Sequence, residues 1–300
     1  MCDNIPNTFE RNHPMSIFKI VTDTTADLPK SFIEESDISV VEISFQLEGK
    51  VYGSTDMTPV DFYAALRSGA MPSTQQANPY DIEKVCEPLM EQGNDVLYLC
   101  FSSGLSGTYG SALIAKSELK EKYPDRKFVV VDSLAASMGE GLLVYYAVKQ
   151  RESGKTLEET AQWLEDNKLH LCMWFTVNDL FHLHRGGRVS KLSAVLGSVL
   201  NIKPVLHVDN AGKLIPMAKA RGRKKSIDML FEKLVATGID VKDQTVFISH
   251  GDCEAEAVAL SERIKNELGV KDVWVNFICP TIGTHSGAET IALFFLGTER

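Results

Sequence analysis

Residues 95–112 read DVLYLCFSSGLSGTYGSA, an apolar run that empties into a Ser/Gly turn and then enters a helical pattern. Strand, tight polar turn and helix in that order form the repeating unit of a parallel sheet, because each parallel neighbour needs a crossover. The same order recurs on both sides. FKIVTD (18–23) ends in the polar turn TDTTADLP and leads into a helical SFIEES, while KFVVVDS (127–133) is apolar without alternation, as a strand covered on both faces must be. These stretches predict an α/β half with a mostly parallel sheet.

Other elements fill in around that frame. ISVVEISFQLEGKVYGS (38–54) alternates apolar and polar residues around EGK and reads as a hairpin. TPVDFYAALRSG (58–69) has a Thr cap, a Pro in its first turn and a terminal Gly, the punctuation of a short helix. Helices are also expected over DIEKVCEPLMEQG, from about 106 to 121, over GEGLLVYYAVKQRESG and over TLEETAQWLEDNK. From about residue 169 the rhythm changes. LHLCMWFTV reads as a strand, NDLFHLHRGGR as a short helix with a Gly stop, SKLSAVLGSVL (190–200) as another helix, and KPVLHVDNAGKLIPMAKA as a hairpin turning at DNAG. KKSIDMLFEKLVATG, TVFISH, EAEAVALSERIKNELG and VWVNFICP continue as helix, strand, helix and strand. This second half reads as α+β with a mixed sheet. The chain thus divides into a polar N-terminal tail (1–15), an α/β domain (16–165) and an α+β domain (166–300), closely packed because no Pro/Ser-rich linker separates them.

Composition narrows the function classes. With 300 residues, 44% of them hydrophobic, the chain buries a large core, and its net charge of −9 is the wrong sign for a surface that gathers phosphate backbones. Nucleic acid is not an expected partner. No stretch approaches the ~20 apolar residues of a membrane helix, and the N-terminus lacks the basic and apolar regions of a secretory signal. Six scattered cysteines (Cys2, Cys86, Cys100, Cys172, Cys253, Cys279) with no CxxC pair fit reduced, mostly buried thiols in a cytoplasm.

Four strand ends are rich in small polar residues: TDTTAD (22–27), SSGLSGT (102–108), SHGD (249–252) and CPTIGTHSG (279–287). Ligands of open α/β sheets bind at such ends, where helix N-termini offer free amides and a positive dipole to an anion. Equally, Ser and Thr at these places cap helices. GLSGT is one residue away from G-x-S-x-G, which opens a serine esterase or acyl hydrolase reading with Ser106 as nucleophile and His285 as base, but no Asp is evidently placed to orient that His. No P-loop, dinucleotide or kinase signature occurs. RGGRVS (185–190) reads either as a phosphate-holding turn or as a helix stop followed by a Ser cap. HLH (182–184) places its two histidines on one face only of a strand, and its context is helical, so no metal site is expected.

Five stretches in register, IVTDTTADLP (20–29), PSTQQAN (72–78), SSGLSGTYGSA (102–112), LHRGGRVSK (183–191) and IGTHSGAE (282–289), resemble the DegV family of bacterial fatty-acid-binding proteins from about residue 16 onward. The resemblance implies a two-domain, non-catalytic carrier needing no cofactor. It would hold one long-chain fatty acid between its domains, the acyl chain in an apolar tunnel and the carboxylate near the cleft. It further implies delivery of the acid to a separate ATP-dependent fatty acid kinase subunit for acyl-phosphate formation in phospholipid synthesis, with transient membrane-surface contact for lipid exchange. Carried over by position, the carboxylate ligands are Thr74, Ser106 and His285, with Ser102, Ser103 and Gly107 as supporting residues of the same turn and Arg221 as a kinase-docking residue. Leu99, Phe101, Ile114, Phe175, Leu196 and Leu200 are candidates to line the tunnel. Two departures from the family pattern stand out. Gln75-Gln76-Ala77 replaces the usual Ser-Gln-Pro, and Gly287-Ala288-Glu289 replaces Gly-Pro-Gly, with Glu289 expected to point outward from the first turn of the last helix.

Overall fold

The structure, a computed structural model, describes residues 18–178, 180–189 and 201–300. The N-terminal tail and the helix expected over 190–200, with Leu196 and Leu200, lie outside the described residues. The first half runs β1 (Phe18–Asp23), α1 (Lys30–Glu35), β2 (Ile38–Val41), β3 (Phe45–Leu47), β4 (Lys50–Tyr52), α2 (Pro59–Arg67), β5 (Ser73–Thr74), α3 (Pro79–Glu91), β6 (Asp95–Cys100), α4 (Thr108–Lys122), β7 (Phe128–Asp132), α5 (Met138–Glu152) and α6 (Leu157–Asn167). The second half runs β8 (Leu171–Thr176), α7 (Phe181–Arg185), β9 (Ile202–Val208), β10 (Leu214–Arg221), α8 (Arg223–Thr237), β11 (Thr245–His250), α9 (Glu254–Leu268), β12 (Asp272–Phe277), α10 (Pro280–Ser286) and β13 (Ile291–Leu296). Caps explain several helix starts. Thr58, Asn78 and Thr156 each accept the amide three residues on, and Asp81 and Glu159 close two of these into capping boxes.

The first sheet, in the order β2-β1-β6-β7, is parallel throughout. The expected hairpin forms as β3 and β4 but belongs to a separate three-stranded antiparallel sheet, β4-β3-β5. In the second half the order is β10-β9-β8-β13-β11-β12, antiparallel except for the β11/β12 pair. The result is an α/β fold whose N-terminal half carries the parallel sheet and whose C-terminal half carries the mixed one.

Side-chain alternation stacks these sheets into layers. On β6, Val96, Tyr98 and Cys100 pack against α3 and α4 through Ile82, Cys86, Ala112 and Leu119, while Leu97 and Leu99 point the other way, toward α5. Helix α5 is buried almost all round, from Met138 through Val144 and again at Ala147 and Val148, as a helix enclosed between two sheets must be. Its second neighbour is the mixed sheet, through Met173, Phe247, Ala292 and Phe294. The far face of that sheet is closed by α8 and α9, with Leu230, Leu234, Leu260 and Ile264 on Trp174, Ile248 and Leu293. The order of layers is therefore helices, parallel sheet, α5, mixed sheet, helices.

The chain end departs from expectation. No helix follows Glu289; residues 291–296 form β13, an inner strand of the six-stranded sheet, and the helix lies before it as α10. IALFFL is a six-residue run covered on both faces, which suits a strand and is too short for a helix. Gly287 at φ +80 ends α10, and Glu289 at φ +61 sits in the connecting turn, its amide donating to Gly251 O at 2.6 Å.

Candidate functional site

A cavity of about 210 Å³ opens at the seam of the two sheets, where the turns after β6 and β12 meet β5 and the turn after α7. Thr74, Ser106 and His285 all line it, brought together from three elements far apart in sequence. Gly107 and Gln76 complete this polar end, and much of the remaining wall is apolar, with Phe101, Met173, Phe175, Leu214, Ile282 and Phe294. The void exceeds the ~150 Å³ that admits a benzene ring into a dry apolar cavity. Arg188 is the one charged side chain among the described lining residues.

The geometry around His285 fixes its chemistry. Strand β5 pairs with β3 at Thr74↔Phe45 and so presents the Thr74 hydroxyl to α10, where Oγ1 lies 2.9 Å from His285 Nε2. The opposite ring nitrogen, Nδ1, is buried without a hydrogen-bond partner among the described residues and abuts Gly186, on which an added Cβ would lie 2.1 Å away. Burial, with Arg188, Arg185 and His182 nearby, pushes the imidazole pKa down from 6.5 to about 3, so the ring is neutral at neutral pH. An N–H at Nδ1 would aim a donor at the Gly186 methylene, whereas a bare lone pair there is tolerated more cheaply. The proton therefore sits on Nε2, which donates to Thr74 Oγ1 and leaves the Thr74 O–H free to donate in turn.

Ser106 lies two residues before α4, ahead of its cap residue Gly107. Its Oγ accepts the Thr108 amide at 3.2 Å and lies 2.9 Å from Thr108 Oγ1. A Cβ added at Gly107 would lie 2.0 Å from Gln76 Oε1, the mobile end of that side chain. Gln76 lies over the turn, its Nε2 donating to Ser111 Oγ at 3.2 Å, and Ala77, fully enclosed, donates its amide to Thr108 Oγ1 at 3.3 Å. The Gln75-Gln76-Ala77 departure thus falls on residues that pack over the turn before α4. Arg188, from the ambiguous RGGRVS stretch, is half-buried; its Nε donates to Leu105 O at 3.2 Å and its Nη1 to Gly186 O at 2.6 Å. Sequence reasoning left its role open, because a helix stop and an anion-facing turn have the same composition.

Other candidates lie elsewhere. Ser102 is fully buried outside the lining; its Oγ donates to Gly212 O at 2.9 Å and accepts the Gly104 amide at 3.2 Å, tying the β9–β10 turn to the turn after β6. Ser103 is exposed, with its amide donating to Asp132 Oδ1 at 3.1 Å. Neither residue is among the described lining of the cavity. Arg221 is exposed at the end of β10, outside the lining, paired in register with Ile202. Phe101 and Phe175 line the cavity as expected, whereas Leu99 is core and Ile114 is 53% exposed.

The TDTTAD turn serves a second polar cluster. Asp23, Asp27 and Glu140 are all fully enclosed. Asp23 accepts the Phe101 amide at 3.0 Å, the Thr25 amide at 3.0 Å and the Thr25 hydroxyl. Glu140 accepts the hydroxyls of Thr22 at 2.9 Å and Thr25 at 3.2 Å. Asp27 accepts the Cys279 amide at 2.9 Å and the hydroxyl of Ser137, which also pairs with Ser249 at 2.8 Å. Burial pushes Asp23 up to about 6, Asp27 up to about 7 and Glu140 well above the ordinary carboxylate range.

The comparisons with known proteins agree with one another. The family model described as uncharacterised protein, DegV family, matches residues 17–298. A DegV domain-containing protein of Clostridium perfringens is 46% identical over 289 residues, covering 95% of this chain and 99% of that protein. Among solved structures, a DegV family protein from Thermus thermophilus described as binding fatty acid superposes with a TM-score of 0.85 at 31% identity, covering 93% of this chain and 99% of that one. A Thermotoga maritima protein, described as revealing a fatty acid binding function, gives a TM-score of 0.82 at 32% identity, covering 94% and 99%.

Proposed function

The chain belongs to the DegV family, and on that premise we propose that it binds one long-chain fatty acid and presents it to a separate ATP-dependent fatty acid kinase. The observation that carries the binding is the convergence of Thr74, Ser106 and His285 on one largely apolar cavity that contains no acidic side chain among its described lining. A sixteen-carbon tail contributes roughly 11 kcal/mol of gross transfer free energy at ~0.8 kcal/mol per buried CH₂, before ordering costs. Taking an unpaired carboxylate out of water would cancel much of that gain. Hydroxyl donors at Thr74 and Ser106, the His285 ring behind Thr74, and the Arg188 guanidinium supply what the head group needs.

The serine hydrolase alternative finds less support. Ser106 Oγ pairs with Thr108 and His285 Nε2 with Thr74, and no described carboxylate bonds the His285 ring. Docking of the kinase at Arg221, lipid exchange at a membrane surface, a cytoplasmic location and the division at 165/166 belong to the same proposal. Arg221 contributes an exposed cation on an acidic chain, and no described helix is long and apolar enough to cross a membrane.

Mass spectrometry of organic extracts from denatured protein should find a stoichiometric fatty acid, and Ser106→Ala or His285→Ala should weaken binding while the fold persists. Protein that carries no lipid and also fails to take up added fatty acid overturns the reading. Turnover of p-nitrophenyl butyrate, lost in Ser106→Ala, would favour the hydrolase. Arg221→Glu should lower acyl-phosphate formation by the kinase with fatty acid affinity unchanged.

A further inference from the structure

We propose that Thr108, which does not line the cavity, fixes Ser106 as an obligate hydrogen-bond donor and thereby sets a preference for an ionised carboxylate over neutral head groups. The inference rests on the fatty-acid reading of the cavity and adds a specificity-determining residue behind it.

A hydroxyl carries one proton and two lone pairs. Thr108 Oγ1 is fully buried, accepts the Ala77 amide at 3.3 Å, and has Ser106 Oγ as its other partner at 2.9 Å. Were Ser106 to donate to Thr108, the Thr108 proton would be left without an acceptor among the described residues in a buried position, the costly half of a broken hydrogen bond. With Thr108 donating to Ser106, no buried proton is orphaned. Ser106 Oγ then accepts twice, from the Thr108 amide at 3.2 Å and from the Thr108 hydroxyl, so both of its lone pairs are occupied. Among the described residues, its own proton finds no further acceptor and faces the cavity.

The chain of donors runs Ala77 N–H, Thr108 O–H, Ser106 O–H, ligand. A second, shorter chain runs from His285 Nε2–H through Thr74 O–H. Both hydroxyls at the polar end therefore arrive as donors, beside the Arg188 cation. A carboxylate, which only accepts, completes such a set. A fatty alcohol brings a proton of its own to a ring of protons and no charge for Arg188 to meet.

The test compares palmitate with hexadecanol as ligands of the full chain. Wild type should prefer palmitate at least a hundredfold. Thr108→Val should weaken palmitate about tenfold and hexadecanol less than twofold, narrowing the preference, while Thr108→Ser should restore it. In a Ser106→Ala background, Thr108→Val should change palmitate affinity no further, because the effect passes through Ser106. If the valine variant does not fold, Thr108→Ala removes the same hydroxyl and is read the same way. Palmitate affinity within twofold of wild type in these variants overturns the proposal, as does an equal loss for both ligands, which would assign Thr108 to packing alone. Wild-type protein that binds neither ligand would instead remove the fatty-acid reading, and this inference with it.

Discussion

Two polar clusters lie on either side of the cavity wall, and they are complements of each other. At Asp23, Asp27 and Glu140 the protein supplies the carboxyls and surrounds them with threonine and serine hydroxyls and backbone amides. At Thr74, Ser106 and His285 it supplies hydroxyls and a neutral ring around a space with no carboxyl among its described lining residues. Ser137 borders both, lining the cavity while donating to Asp27. The first cluster is closed because its acceptors are covalently part of the chain. The second is open, and on the proposed reading its acceptor arrives from outside as the carboxylate of a bound ligand.

The contrast is most severely tested by Asp23→Ala, which leaves the Phe101 and Thr25 amides without their acceptor in an enclosed place. A loss of about 3–5 kcal/mol in urea unfolding is expected for a buried group stripped of its charged partner. A loss under ~1 kcal/mol would mean that the closed cluster contributes little to the fold. Next in size is the converse experiment, Ser106→Asp, which furnishes the open cluster with an internal carboxylate where the Thr108 amide already donates to residue 106. Palmitate affinity should fall more than about a hundredfold, given repulsion between two enclosed carboxylates, and the fold should persist; unchanged affinity would show that the head group lies elsewhere.

The clusters should also titrate with opposite signs. Asp27 holds its proton up to about 7 in the fold but releases it near 3.8 when unfolded, so its contribution to stability is complete below 3.8 and is lost as pH rises through 7. For His285 the folded value is about 3 against 6.5 unfolded, so its contribution is complete above 6.5 and is lost as pH falls toward 3. Asp27→Asn should therefore cost most at pH 4 and progressively less toward pH 7, by up to ~1.4 kcal/mol per pH unit. His285→Gln should instead flatten the acid-side decline. Unfolding curves at four pH values decide whether the slopes differ in sign.

The smallest expected effect separates two glycines. Gly186→Ala places a Cβ against the His285 ring, which packing holds in place, and should lower palmitate affinity about five- to tenfold, the range of one lost hydrogen bond. Gly107→Ala meets only the end of the flexible Gln76 side chain, which can swing aside, and should cost less than about threefold. Titration calorimetry of both variants ranks them; equal losses would argue that Gln76 is as firmly held as His285.

Much of this fold is legible in the residues themselves. Strands such as KFVVVDS and caps such as Thr58 and Thr156 carry their own signals, and the hairpin at DNAG forms where Asp209 N–H meets Lys213 O at 2.9 Å. The last strand was not legible, because a six-residue apolar run has no period to distinguish strand from helix and only its burial between two layers decides. The site was legible to a lesser degree. Ser102 and Ser106 occupy one turn with the same chemistry, and only tertiary packing turns the first toward Gly212 and the second toward the cavity. TDTTAD resembles SSGLSGT in composition, yet its acids close it, since Asp23 and Asp27 bring their own acceptors. Arg188 and Thr108 carry no local mark at all. Their relation to the cavity exists only once β5, α4 and the turn after α7 have met.

Met173, Phe175 and Phe294 line the cavity and are at the same time members of the cluster that packs α5 between the two sheets. A hydrocarbon seated against them becomes a further piece of the protein interior, contributed by metabolism and not by the ribosome. On the proposed fatty-acid reading, survival of the polypeptide under protease challenge should lengthen as the ligand is supplied. Limited proteolysis at matched protein concentration, with and without palmitate, reads that dependence directly, and identical digestion rates would show that the interior is complete without its guest.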